Sequence, residues 1–157
     1  MNNYFEIDLK LPSLNEYQAE CRANKYLGAT FKKKLERDIS VFIYKAKRAG
    51  TLRTPTAYPV ELRIEWHEKD RRRDVDNIKS AAKFVLDTMT DTGVIRDDGR
   101  KYISQIHDTV IDDKRTFVLV EIIENEESPA TVPKSVARTK QPKQSKQITQ
   151  YQQTKLF

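Results

Sequence analysis

Residues 60–98 read VELRIEWHEKDRRRDVDNIKSAAKFVLDTMTDTGVIRDD, and the opening of that stretch decides the fold. Val60, Leu62, Ile64 and Trp66 alternate with Glu61, Arg63, Glu65 and His67, the period of a strand with one face buried and one face wet. The pattern then changes. Ile78, Ala82, Val85 and Met89 recur at helical spacing, which predicts a helix from Val75 to about Thr90 with Gly93 close behind it.

Working outward, Phe5, Ile7 and Leu9 alternate with Glu6, Asp8 and Lys10, a second strand that Pro12 and Ser13 end. Residues 13–28 show no clean period and read as a polar, partly helical loop. From Thr30, an expected N-cap, the residues Phe31, Leu35, Ile39, Phe42, Ala46 and Ala49 mark an amphipathic helix that ends at Gly50. Strands are expected at about 101–111 and 115–123, joined by the hairpin-like Asp112-Asp113-Lys114. The order β-α-β-α-β-β defines a small α+β domain over residues 1–124, with two helices packed on one face of a mixed sheet.

The chemistry concentrates between residues 70 and 98. Three arginines lead into Asp74, Asp76 and Asn77, and a second acidic pair, Asp97-Asp98, follows the helix. Carboxylates brought close together repel unless a cation lies between them. Mg²⁺ suits such a site because it prefers oxygen ligands and keeps positions open for phosphate and water, with Mn²⁺ able to stand in. Arg71, Arg72 and Arg73 suit a site that receives a polyanion. Taken singly, each acidic pair is most simply a helix cap or a turn; together, flanked by arginines, they favour the metal reading.

Asp74-Val75-Asp76-Asn77, a following helix, the turn Gly93-Val94-Ile95 and Asp97-Asp98 resemble the RusA family of Holliday-junction resolvases. The resemblance implies a homodimeric, Mg²⁺-dependent endonuclease, often phage-encoded, that resolves four-way DNA junctions by paired nicks. It implies metal-binding, catalytic roles for Asp74, Asp76 and Asp98, with Asp97 an accessory metal ligand. One departure stands out. The family carries a functional lysine four residues after the second aspartate, where this chain has Ser80, which leaves Lys79 or Lys83 to replace it. Asn77 is equally readable as a phosphate contact or a first-turn helix residue.

The formal charge of +6 favours an anionic partner. Residues 125–157, rich in Pro, Ser, Thr, Gln and Lys, carry +4 of it and read as a disordered tail. DNA contacts in the domain must therefore come from local clusters. Lys32 and Lys33 in the first helix are candidates, with Arg22 and Lys25 in the loop before it, although a solvated charged face is the default for such runs. The lone Cys21 suits a reducing cytoplasm, as of a bacterial host, and no membrane partner is expected because no apolar run spans a bilayer. His67 and His107 are too isolated for a zinc site, and neither a P-loop nor a serine-nucleophile motif is present.

These readings converge on a structure-selective endodeoxyribonuclease in recombination and repair. A catalytically weak or inactive branched-DNA-binding accessory of phage replication is the alternative, and a basic packaging protein is a third. The chain ends Gln153-Thr154-Lys155-Leu156-Phe157, which resembles the clamp-binding peptides of bacterial replication and repair proteins and names Gln153, Leu156 and Phe157 as contacts to a host sliding clamp.

Overall fold

The computed structural model describes residues 3–124; the tail and its Gln153, Leu156 and Phe157 lie outside the described residues. The elements are β1 (Tyr4–Ile7), α1 (Leu14–Ala23), α2 (Lys25–Ala49), β2 (Val60–Glu68), α3 (Val75–Lys79), α4 (Ala82–Asp91), β3 (Ile103–Asp112) and β4 (Phe117–Glu124). The strands form one mixed sheet in the order β1-β4-β2-β3, so the class is α+β as expected.

β2 is the axis of the domain. Val60, Leu62, Ile64 and Trp66 are buried on one face, together with Phe5 and Ile7 from β1 and Val118, Val120 and Ile122 from β4. Leu35, Ile39 and Ile43 of α2 and Val85 and Met89 of α4 join the same core. Each such side chain contributes roughly 1.5–3 kcal/mol by leaving water. The opposite face of the sheet is polar, with Arg63 paired to Glu121 and His107 to Glu61.

Four sequence expectations are corrected. β3 and β4 are not a hairpin: β3 runs parallel to β2, and β4 pairs antiparallel with the other side of β2. The turn between them crosses the end of β2, where Asp113 N–H donates to the Glu68 carbonyl at 2.8 Å. Two alternating runs joined by a short polar turn look alike whether they pair with each other or straddle a third strand. Register, not periodicity, separates the cases.

Residues 13–28 are helical rather than loop. Ser13 and Glu16 form a reciprocal capping box at the start of α1, which buries no residue and so shows no apolar period. The next helix begins at Lys25, not after Thr30, because the Asn24 side chain accepts from Tyr26 N–H. Its end is as expected: Gly50 takes the left-handed conformation at φ 78° and closes the helix. Phe42, expected in the apolar stripe, packs partly buried against the core, and its neighbour Ile43 is fully buried.

The helix expected from Val75 to Thr90 is interrupted at Ser80-Ala81. Ser80 Oγ donates to the Asn77 carbonyl at 2.7 Å. That carbonyl would ordinarily accept from Ala81 N–H, which turns instead to the Ile78 carbonyl at 3.3 Å. A serine hydroxyl thus competes with the backbone ladder and tightens one turn. The slip also buries Ala81 in the place expected for Ala82.

Candidate functional site

The crossover from β2 through α3 and α4 to β3 carries the predicted site. Asp74 precedes α3 in an extended conformation (φ −69°, ψ 149°), and its side chain makes no capping bond. A plain capping role for Asp74 therefore has no hydrogen bond behind it. Asp76 lies in the first turn of α3, and Asp97 and Asp98 lie in the loop after Gly93. All four are exposed.

These carboxylates differ from their neighbours in being unpaired. Most other acids of the domain are committed: Glu68 to Arg73, Asp87 to Lys32 and Lys83, Asp112 to Arg71, Glu121 to Arg63 and Glu124 to Arg53. Among the described residues the acidic side chains without a hydrogen bond or ion pair are Glu20, Asp74, Asp76, Asp91, Asp97 and Asp98. Four of these six are the carboxylates expected to bind metal; Glu20 and Asp91 are not.

They do not form one cluster. Asp98 lines a pocket of about 210 Å³ with Asp87, Thr90 and Asp91 of α4 and Lys32 and Glu36 of α2, and neither Asp74 nor Asp76 lines that pocket. No three carboxylate, histidine or cysteine side chains among the described residues are gathered closely enough to hold a metal ion. The donors nevertheless suit Mg²⁺ in kind. They are hard oxygens, accessible and free of competing hydrogen bonds, and Mg²⁺ commonly takes only one or two carboxylates and fills its shell with water and substrate phosphate.

The sequence reading missed Glu36, Asp87 and Asp91. Asp87 and Asp91 lie one helical turn apart, with Lys83 one turn before them, and that spacing was a legible signal. Lys32 Nζ stands 2.9 Å from Asp87 and 3.3 Å from Glu36. Burial opposes ionisation of Asp87, but hydrogen bonds from Lys32 and Lys83 outweigh it and hold the carboxyl below the ordinary range. The hydrogen bond to Asp87 in turn raises the Lys32 ammonium above the usual lysine value.

The predicted cations divide into committed and free. Arg73 is largely buried: Nη1 lies 3.1 Å from Glu68 Oε1, and Nη2 donates to the Leu11 carbonyl at 3.0 Å. Arg71 pairs with Asp112 at the surface, while the exposed Arg72 side chain has no partner among the described residues. Lys79 Nζ donates to the Asp108 carbonyl of β3 at 2.7 Å, and Lys83 pairs with Asp87 at 3.2 Å while staying largely exposed. Arg22 bonds to Gln18, Lys25 lies over the Tyr26 ring, and Lys33 is exposed without a partner among the described residues. Asn77 is half-buried, with its main-chain carbonyl occupied by Ser80.

No protein-family model matches this chain, and no curated protein matches it. No helix among the described residues is long and apolar enough to cross a membrane.

Proposed function

We propose that this chain is a Mg²⁺-dependent, structure-selective endodeoxyribonuclease that resolves four-way DNA junctions as a cytoplasmic homodimer. The observation that carries the proposal is the set of exposed carboxylates Asp74, Asp76, Asp97 and Asp98, which have no partner among the described residues in a domain that pairs most of its other acids. An exposed carboxylate with no partner is available to a cation, and Mg²⁺ commonly takes only one or two of them. Asp74 and Asp76 would hold the ion, with water and substrate phosphate filling its shell, and Asp98 and Asp97, which lie apart from them, would join it only where bound DNA draws the two segments together. The ion supplies an activated water and charge neutralisation at the scissile phosphate. Arg72 would bind the incoming backbone, and Lys83, exposed beside Asp87, would offset developing negative charge. Two copies related by a two-fold axis match the symmetry of a four-way junction.

The test is nicking of a synthetic four-way junction with and without Mg²⁺ by the wild type and Asp76→Asn. Paired, metal-dependent nicks that Asp76→Asn abolishes are expected; equal nicking by both proteins would refute the site.

One observation favours a second reading, a branched-DNA-binding accessory without catalysis. Where the family lysine would stand, Ser80 binds its hydroxyl to the helix backbone. Junction binding that survives EDTA, with no nicks under any divalent metal, would establish that reading instead. A host sliding clamp bound through Gln153, Leu156 and Phe157 is proposed as a partner of either form.

A further inference from the structure

The outer face of α2 is unused by the site above. Its buried residues, Gly28, Leu35, Ile39, Ile43 and Ala46, fix the core-facing side of the helix. At 100° per residue, Lys33, Arg37, Tyr44 and Arg48 fall within an arc of about 60° on the opposite side. All four are exposed, Tyr44 at 57 %, and Val41 beside them is 59 % exposed. The acids of this helix lie outside the arc: Glu36 turns toward Lys32 and α4, and Asp38 pairs with Lys34. The other cations are committed or sit elsewhere. Lys47 donates to the Thr92 carbonyl, and Lys45 lines a groove against Glu6 and Asp8 of the β1 edge. Lys33, Arg37 and Arg48, by contrast, have no partner among the described residues.

A row of three unpaired cations, with no acid between them, departs from the mixed charge of an ordinary solvated face and is complementary to a polyanion. From Lys33 to Arg48 the row extends roughly 22 Å along the axis at 1.5 Å per residue. That length accommodates several consecutive phosphates. Tyr44, standing within the row with Lys47 Nζ 6.0 Å from its ring centroid on one side, leaves the rest of an exposed ring for an unpaired base. Lys32, next to Lys33 in sequence but about 100° around the helix and outside the arc, lines the pocket that holds Asp98, so the stripe starts one residue from that pocket's wall. We infer that the outer face of α2 is a track for the sugar-phosphate backbone of a DNA strand flanking the candidate site, with Lys33, Arg37 and Arg48 on phosphates and Tyr44 stacked on a base where the strand is unpaired. The inference rests on the DNA-acting reading and deepens it by naming the surface that grips the substrate outside the metal site.

The test is equilibrium binding of the full-length protein to a duplex and to a single-stranded oligonucleotide across a salt series. Lys33→Gln/Arg37→Gln/Arg48→Gln is compared with wild type and with Lys10→Gln/Lys34→Gln/Lys45→Gln, which removes the same charge from outside the arc. Each phosphate contact contributes about 0.7–0.9 to the slope of log affinity against log salt, so the stripe variant should lose roughly two or more from that slope and the control little. Tyr44→Ala should weaken single-strand binding by roughly fivefold or more and leave duplex binding unchanged. A stripe variant with the wild-type slope, or one reduced no further than the control, would overturn the track. Loss of duplex and single-strand binding alike in Tyr44→Ala would overturn the stacking role. None of these measurements requires cleavage. A chain that binds through the stripe yet never nicks would fail the nuclease reading alone, and one that nicks with an unchanged slope would fail the stripe alone.

Discussion

Lys32 Nζ stands 2.9 Å from Asp87 Oδ2 across the seam between α2 and α4, in the wall of the pocket that Asp98 also lines. The pair ties the candidate site to the packing of the two main helices, and it gives that packing a pH dependence whose sign is fixed. The folded chain holds the Asp87 carboxyl below its ordinary value, so this stabilisation is complete above about pH 4 and is lost as pH falls through the lower folded value. The Lys32 value is raised, so its contribution is complete at neutral pH and is lost only as pH climbs above the ordinary lysine value near 10.4, through the higher folded one. Asp87→Asn should cost about 1 kcal/mol at pH 7, and less at acid pH. Urea unfolding from neutral pH down to about pH 2 measures both; curves that stay parallel throughout would remove the pair from the stability of the seam.

Asp74→Asn, Asp76→Asn and Asp98→Asn should each abolish junction cleavage while leaving junction binding and melting temperature nearly unchanged. An amide keeps the shape but is a poor ligand for a hard cation, and losing a negative charge does not weaken polyanion binding. Because these side chains have no partner among the described residues, the substitutions should stay within about 0.5 kcal/mol of wild-type stability. A large loss of melting temperature in Asp76→Asn would mean that the carboxylate serves folding rather than a metal.

The two lysines of the α3–α4 segment should separate by readout. Lys83 is 71 % exposed and bonded only to Asp87, so Lys83→Ala should cost at most about 0.5 kcal/mol of stability and lower cleavage about tenfold or more. Lys79 donates to a main-chain carbonyl of the edge strand β3, so Lys79→Ala should appear chiefly as a stability loss of about 1 kcal/mol. Unchanged cleavage in both variants would show that neither lysine takes the role that the resemblance to the RusA family assigns to the position of Ser80.

The arginine run should divide in the same way. Arg73 and Glu68 are 13 % and 9 % exposed, and Arg73 also binds the Leu11 carbonyl, so Arg73→Ala leaves a buried carboxylate unpaired. A destabilisation of about 3 kcal/mol is expected. Arg72→Ala, by contrast, should fold normally and bind DNA less tightly, seen as a salt slope reduced by about one. A silent Arg73→Ala in thermal melting would contradict the buried pair.

What the sequence made legible follows from what a local pattern encodes. The alternation of Val60, Leu62, Ile64 and Trp66 set the buried face of β2 correctly, because side-chain period is a local property of a strand. The partner of β3 was not legible, since Asp112 to Arg115 carry the same turn chemistry whichever strand lies alongside. Helix α1 was legible only as a partly helical loop because it buries nothing, although Ser13 and Glu16 spelled its cap. The candidate carboxylates were legible as residues, but their separation was not. Asp98 falls beside Asp87 and Asp91 because the chain turns back at Gly93 (φ 65°), a placement that residue spacing does not specify.

The C-terminal peptide supports a prediction independent of the domain. Gln153 and Leu156-Phe157 have the spacing of clamp-binding peptides, in which the apolar pair anchors in a hydrophobic pocket and the glutamine bonds at its rim. A peptide of residues 147–157 should therefore bind a host sliding clamp with micromolar affinity and lose that binding in Leu156→Ala/Phe157→Ala. The full-length protein with the same two substitutions should cleave a free junction at the wild-type rate and lose only the stimulation that a loaded clamp provides. Isothermal titration of the peptide and cleavage on clamp-loaded substrate separate the cases. If full-length protein shows no heat of binding to its host's clamp, the peptide has no such partner, and the assignment of Asp74, Asp76 and Asp98 is untouched.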